Sequence, residues 1–242
     1  MKTISIIIPA YNEEYRLPAT LQKWQDFLSH NKNNFLINKI IVVDDGSTDN
    51  TIQTAESFGN VLSMQIIKIS PNQGKGNAVK AGIAAANSDF IFIYDADAAV
   101  PPQELNKLFC QINGSDLAIG SRSANGAQVK ISLFRKFVGK CFRLVCYFLI
   151  PGIKDASCGA KLIKTDAAKQ IFDKQHIKRF AFDVEILWLA KRMNYKIKEV
   201  GVVWYEIPGS KVRVSRDSAE MLFSVLGLYK KAILYKIKQI NI

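Results

Sequence analysis

Two aspartates separated by one small residue, Asp95-Ala96-Asp97, stand directly after the apolar run Phe90 to Tyr94. At a strand end that spacing lets both carboxylates face one hard cation, whose other positions go to phosphate oxygens and water. A cation held there would neutralise a departing diphosphate. The plainer alternative is that the aspartates cap the helix expected from Pro101-Pro102-Gln103-Glu104. Asp44-Asp45-Gly46-Ser47-Thr48-Asp49 follows the run Ile40 to Val43, where a carboxylate can accept from a ribose hydroxyl or a base N–H. The same residues also suit a turn, with Ser47 or Thr48 capping the next helix. Asn72-Gln73-Gly74-Lys75-Gly76-Asn77 sets two glycines around a lysine at a helix start. Bare N–H groups and the helix dipole favour phosphate there. The pattern is not the GxxxxGK[ST] of a P-loop, so an ATPase reading is weak, and a plain glycine-rich loop fits equally well.

Basic residues beside turn signals mark the second half: Gly120-Ser121-Arg122, Arg135-Lys136 and Gly209-Ser210-Lys211-Val212-Arg213. Each can hold a phosphate, arginine as a planar fork and lysine as a point charge; each is equally a solvated cationic face. Asp155, and the pair Asp183 and Glu185, supply carboxylates that could orient or deprotonate an acceptor. A turn after Pro151-Gly152 accounts for Asp155, and an N-cap for Asp183, without any chemistry. His30 and His176 lie in polar, helix-end contexts and are given no catalytic work.

The elements that must position these residues alternate. Ile4 to Pro9, Lys39 to Asp44, Met64 to Ile69 and Phe90 to Tyr94 read as strands, and Pro18 to His30, Asp49 to Phe58 and Lys75 to Ala86 as helices, a βαβ rhythm. In open parallel sheets ligands bind outside the carboxyl ends of strands. The clusters Tyr11-Asn12-Glu13, Asp44 to Ser47 and Asp95 to Asp97 all follow strands, so three loops should meet at one site. Beyond residue 100 the pattern predicts strands at Leu117 to Gly120 and Ile197 to Trp204, a helix at Asp183 to Met193, a basic apolar stretch at Ile131 to Ile150, and a basic amphipathic helix over Ala219 to Ile242.

Length and composition fit this plan. A chain of 242 residues, 48% hydrophobic and 22% charged, is long enough to bury a core and suits one α/β domain. The formal charge of +12 implies anionic partners: nucleic acid, an anionic membrane, or phosphorylated small molecules. Nucleic acid is disfavoured, because the lysines and arginines are dispersed and no RRM, KH or helix-turn-helix signature is present. The four cysteines show no CxxC pair or zinc-ligand spacing and read as reduced thiols of a cytosolic protein. No signal peptide is expected from the short apolar run at the start. Ile131 to Ile153 is interrupted by Arg135, Lys136, Lys140 and Arg143, so it should lie on a membrane rather than cross one. Its aromatic stripe equally suits a core.

Taken in order, Ile6-Ile7-Ile8-Pro9-Ala10-Tyr11-Asn12-Glu13-Glu14, Val42 to Asp49 and Tyr94 to Asp97 resemble the nucleotide half of the family 2 inverting glycosyltransferases. The resemblance continues through Asn72 to Gly76, Gly120 to Arg122, Asp155 to Lys161, Phe182 to Glu185 and Trp204 to Lys211, and is similar to the polyprenyl-phosphate branch of that family. It implies a GT-A fold, one α/β domain over 1–242 with a mostly parallel central sheet flanked by helices. Residues 1–100 form the nucleotide half of that domain, and 101–242 the acceptor half with the basic C-terminal helix. It further implies that Pro9, Ala10, Tyr11, Glu13, Asp44, Asp45, Lys75, Asp95 and Ala96 bind the nucleotide sugar, and that Asp95 and Asp97 hold Mg²⁺ or Mn²⁺. Arg122, Arg135, Lys211 and Arg213 would grip donor and acceptor phosphates, with Asp155 an acceptor-side carboxylate. Ala99 stands where mannosyl relatives often carry a polar residue, which favours UDP-glucose as donor. The acceptor implied is a polyprenyl or dolichyl phosphate, reached by peripheral contact with the cytoplasmic face of a membrane. A soluble hydroxyl acceptor is the alternative, and it would need Asp155 or Asp183 as general base.

Overall fold

The computed structural model describes residues 1–30, 34–130, 133–207 and 214–240, the side chains of 130, 133–138, 214–218 and 235–240 excepted. Strand β1 (Lys2–Ala10) shows why the β-branched runs carry so little polar alternation. Ile4, Ile6 and Ile8 pack into one apolar cluster, while Ile7 belongs to another on the opposite face of the sheet. All four are fully buried. A strand covered on both faces by helices must be apolar on both.

β1 pairs in parallel with β2 (Phe35–Asp44) and β4 (Phe90–Ile93), and β2 with β3 (Met64–Lys68). One face is covered by α1 (Leu17–His30), α2 (Thr51–Ser57) and α4 (Glu104–Gln111), and the other chiefly by α3 (Lys75–Ala85), α6 (Thr165–Asp173) and α7 (Phe182–Arg192). Helix α1 buries Leu17, Leu21, Trp24 and Phe27, a 3.6-residue stripe. Trp24 meets Tyr94 edge-on with ring centroids 5.0 Å apart. Truncating such a buried aromatic costs about 3–5 kcal/mol.

Beyond β4 the sheet changes direction. β7 (Lys161–Lys164) runs antiparallel to both β4 and β5 (Leu117–Ser121), and β8 (Ile197–Gly201) pairs in parallel with β5. The order is β3-β2-β1-β4-β7-β5-β8. β7 and α6 are absent from the sequence reading, and the single strand expected over Ile197 to Trp204 is broken. Val202 turns the chain, its N–H reaching the Ser121 carbonyl at 3.3 Å, and β9 (Val203–Tyr205) pairs instead with β6 (Gln128–Lys130) in a separate two-stranded sheet. The basic apolar stretch forms α5 (Leu133–Tyr147), and the terminal helix α8 (Val214–Ile240) starts earlier than expected. Among the described residues no helix is long and apolar enough to cross a membrane.

Candidate active site

The carboxyl ends of β1, β2 and β4, the start of β7 and the end of β5 lie along one edge of the sheet, because β7 runs against its neighbours. The three loops expected to meet there do so. Pro9 and Ala10 are buried at the end of β1, and Tyr11 follows, exposed. The Asn12 N–H donates to Ser47 Oγ at 2.8 Å, and Asn12 Oδ1 accepts from the Thr48 N–H at 2.8 Å. Ser47 and Thr48 therefore tie two loops together rather than capping a helix. It is Asp49 that accepts the Thr51 N–H, at 3.0 Å, at the start of α2.

Asp44 accepts from the Ser47 N–H at 3.2 Å, an Asx-type turn. Asp45 reaches the other way, its carboxylate taking the N–H groups of Gln73 at 2.9 Å and Gly74 at 2.6 Å. Burial raises its carboxyl above the ordinary range against the pull of these two donors. Gly74 sits at φ +102°, and a Cβ there would lie 2.6 Å from the Lys178 carbonyl. Only glycine makes that turn without strain, and the turn delivers Lys75 as the first residue of α3.

The Lys75 ammonium lies 2.5 Å from Asp95 Oδ1. Burial works against its charge, but Asp95 and then Asp183 outweigh it and hold the group above its usual range. Asp95 in turn is kept below the carboxylate range, since Lys75, Lys161 and Arg122 overcome its burial. Asp97 differs: burial, then the Asp95 charge, push it upward. Asp97 accepts from the Ala99 N–H at 3.1 Å and stands 3.9 Å from Arg16, which Glu13 grips through Arg16 Nε at 2.6 Å. Neither aspartate caps a helix; α4 begins later, behind Gln103 with no side-chain cap. Their loop is braced from outside. Tyr94 donates its hydroxyl to the Val100 carbonyl at 2.5 Å, Thr20 donates to the Ala96 carbonyl at 2.6 Å, and the Tyr205 N–H reaches the Ala99 carbonyl at 2.8 Å. Ala98 is held at φ 49°, a left-handed conformation that alanine adopts at a cost of about 1–2 kcal/mol.

The donor set suits a hard divalent cation. Asp95 and Asp97 offer carboxylate oxygens only, and among the described residues no group of three or more His, Cys, Asp or Glu could hold a metal alone, so phosphate and water would complete the shell of an ion bound there. Gly159 leaves room for the Asp95 carboxylate: a Cβ at that position would lie 2.0 Å from Asp95 Oδ2.

In the second half of the chain Asp155 is locked. Its two oxygens accept Arg122 Nε and Nη2, each at 2.8 Å, and one also takes the Arg122 N–H at 2.8 Å. This bidentate grip outweighs burial and keeps the carboxyl low. Glu199 orients the loop, accepting the N–H groups of Lys154 and Asp155 at 2.9 Å, and the guanidinium lies 5.5 Å from the centre of the Trp204 ring. Asp183 is no N-cap: it sits inside α7, buried, 2.6 Å from the fully buried Lys161 ammonium, which also donates to the Cys158 carbonyl at 2.5 Å. Glu185 accepts the N–H groups of His176 and Ile177. Arg135 lies on α5 with its side chain outside the described set, and Lys211 and Arg213 lie outside the described residues. Arg16 and Glu199 had no place in the sequence reading, and Lys161 and Trp204 stood there only as ends of expected or resembling stretches, with no site role. Arg16 carried a faint signal, three residues after Glu13; burial of a lysine between two short strands leaves none.

Comparison with known proteins agrees with this geometry. The model of glycosyl transferase family 2 matches residues 5–172. A dolichyl-phosphate beta-glucosyltransferase of Trichomonas vaginalis is 35% identical over 97% of this chain and 74% of its own. One of Dictyostelium discoideum is 36% identical over 94% and 76%, and one of Homo sapiens 34% over 87% and 70%. Among solved structures, glucosyl-3-phosphoglycerate synthase from Mycobacterium tuberculosis in complex with UDP superposes with a TM-score of 0.70 over 94% of this chain and 78% of that one, at 17% identity, a likeness of fold. The architecture is the GT-A arrangement. With a family model matched over residues 5–172, and with relatives a third identical along most of its length, the chain belongs to glycosyl transferase family 2.

Proposed function

We propose that this chain transfers glucose from UDP-glucose to a polyprenyl phosphate of the dolichyl type, inverting the α-linked donor to a β-linked lipid-phosphate sugar, with Mg²⁺ or Mn²⁺ held by Asp95 and Asp97. The observation that carries the choice of acceptor is the engagement of both acceptor-side carboxylates. Asp155 is clamped by Arg122, and Asp183 is buried against Lys161. A hydroxyl acceptor needs a general base, and both candidates are committed to cations; a lipid phosphate is already an anionic nucleophile and needs none. The names of the relatives point the same way.

In this reading residues 1–100 hold the donor and 101–242 the acceptor, within one domain. Pro9, Ala10, Tyr11, Glu13, Asp44 and Asp45 shape the nucleoside end, and Ala96 and Lys75 flank the diphosphate. A divalent ion between Asp95 and Asp97 would draw charge from the departing diphosphate. A phosphate oxygen of the acceptor forms its bond to the anomeric carbon from the opposite face, while the bond to the diphosphate breaks and its electron pair leaves with UDP. Arg122, preset by Asp155, adds fixed positive charge where the two phosphates approach, and such preorganised charge needs no rearrangement during reaction. Arg135, Lys211 and Arg213 are assigned to the same phosphates. We place the reaction on the cytoplasmic face of a membrane, which suits four free cysteines; nucleic acid plays no part.

The test is transfer of labelled sugar from UDP-glucose, with GDP-mannose in parallel, to polyprenyl phosphate with Mg²⁺ or Mn²⁺. Label that enters butanol supports the assignment. Water-soluble product alone would replace it with a hydroxyl acceptor.

A further inference from the structure

The Arg122 guanidinium is held from two directions. Asp155 takes its edge, through Nε and Nη2 at 2.8 Å each. The indole of Trp204 lies against its face, with the guanidinium carbon 5.5 Å from the ring centre. The two contacts restrain different motions. A paired carboxylate fixes where the fork points, yet lets the guanidinium hinge out of the shared plane. A ring against one face closes that freedom, because the cation is drawn to the negative face of the π-system.

Trp204 is anchored independently of the arginine. It lies on β9, where it pairs with Val129 of β6. The preceding Val203 N–H reaches Glu104 Oε2 at 3.2 Å, and the following Tyr205 N–H reaches the Ala99 carbonyl at 2.8 Å. The ring is partly buried and packs against the apolar cluster that contains Tyr94, Ala96 and Ala98, residues that interleave with Asp95 and Asp97. Trp204 thus stands between the loop of the two aspartates and the arginine that faces it. Packing alone would be served there by any apolar side chain of similar size; an aromatic face beneath a guanidinium serves the charge as well.

We propose that Trp204 is a positioning residue for the transfer reaction: its ring sets the plane of the Arg122 guanidinium, so that the donors Asp155 does not take meet the phosphates in a fixed orientation. The inference deepens the lipid-phosphate reading and rests on it for the identity of those phosphates. Trp204 touches no reacting atom; it acts through Arg122. The test is a double-mutant cycle on the full chain, with UDP-glucose, Mn²⁺ and varied polyprenyl phosphate. Trp204→Leu keeps an apolar side chain and removes the ring, and should lower kcat/KM for polyprenyl phosphate about tenfold. In an Arg122→Lys background, where the ammonium has no plane to set, the same change should cost less than about twofold. Equal losses in the two backgrounds overturn the proposal and assign Trp204 to packing. If Trp204→Leu does not fold, Trp204→Phe takes its place, with about a threefold loss beside Arg122 and none beside Arg122→Lys; equal losses overturn the proposal there too. A second measurement needs no turnover. The NMR signal of the Arg122 Nε–H, assigned through its disappearance in Arg122→Lys, should lose its ring-induced shift when Trp204 is replaced by leucine and keep part of it with phenylalanine. A signal that the ring's removal leaves in place overturns the proposal. The two readings fail separately. A wild type that moves no label to polyprenyl phosphate would remove the lipid-phosphate reading, and the Arg122 signal would then decide the inference alone, whereas wild-type transfer with equal losses in both backgrounds would remove the inference and leave the reading.

Discussion

Asp97 and Asp95 sit two residues apart yet are held in opposite electrostatic states, one pushed up by burial and its neighbour's charge, the other held down by three cations. Asp97 packs in neither apolar cluster, so Asp97→Ala should abolish transfer while lowering the melting temperature by only a few degrees, for the roughly 1 kcal/mol of its bond to the Ala99 N–H. Wild-type turnover in that variant would remove the metal assignment. Lys75 makes a sharper case. Its ammonium pairs with Asp95 Oδ1, so it would compete with a divalent ion for that carboxylate. Lys75→Gln should therefore bind Mn²⁺ alone about tenfold more tightly and UDP about tenfold more weakly, each near 1.4 kcal/mol, measured by calorimetry with and without nucleotide. Unchanged Mn²⁺ affinity would mean that the lysine does not compete. The acidic residues were legible because aspartates after apolar runs are visible in a string of letters. Lys161 was not, because nothing in Lys161-Leu162-Ile163-Lys164 tells the lysine that is fully buried from the one exposed at the other end.

At the scale of elements, the strands buried on both faces were legible as β-branched runs, and the helices between them as apolar stripes. β7 was not. It is four residues long, bounded by lysines, and its direction is set by pairing with β4 and β5 rather than by local preference. Val202, likewise, breaks a β-branched run for a tertiary reason, so that β9 can leave the main sheet and its Tyr205 N–H can reach Ala99. The link between β7 and the site is Gly159, whose missing side chain is filled by the Asp95 carboxylate. Gly159→Ala should displace that carboxylate. Overpacking of this kind costs about 1–3 kcal/mol, so a lower melting temperature is expected together with loss of Mn²⁺-dependent UDP binding. Retention of that binding at full strength would show that the loop yields without moving Asp95.

The whole molecule is built around one edge of one sheet, and its two halves are joined there by charge as well as by strands. Across them Lys161 and Arg122 hold Asp95 low, and Arg122 is itself fixed, inside the second half, by Asp155, 33 residues on. The Asp155 carboxyl is held below its ordinary value of 3.8 by Arg122 despite burial. A depressed carboxyl contributes stability that is complete above the unfolded value and fades as pH falls through the folded one. Asp155→Asn should thus lower the melting temperature at pH 7, with the gap to wild type narrowing only below about pH 4; a gap that stays constant into strong acid would assign the loss to packing. The same pair has a mechanical consequence. The chain leaves the sheet after Arg122, builds β6 and α5, and returns at Asp155, so this guanidinium–carboxylate pair buckles the two ends of the excursion together, beside the β6–β9 ladder and the Glu199 bonds. A displacement of α5 would reach Arg122 by two routes, the Arg143–Ser123 bond and the Asp155 clamp, which ties the position of that helix to the positive charge beside Asp95.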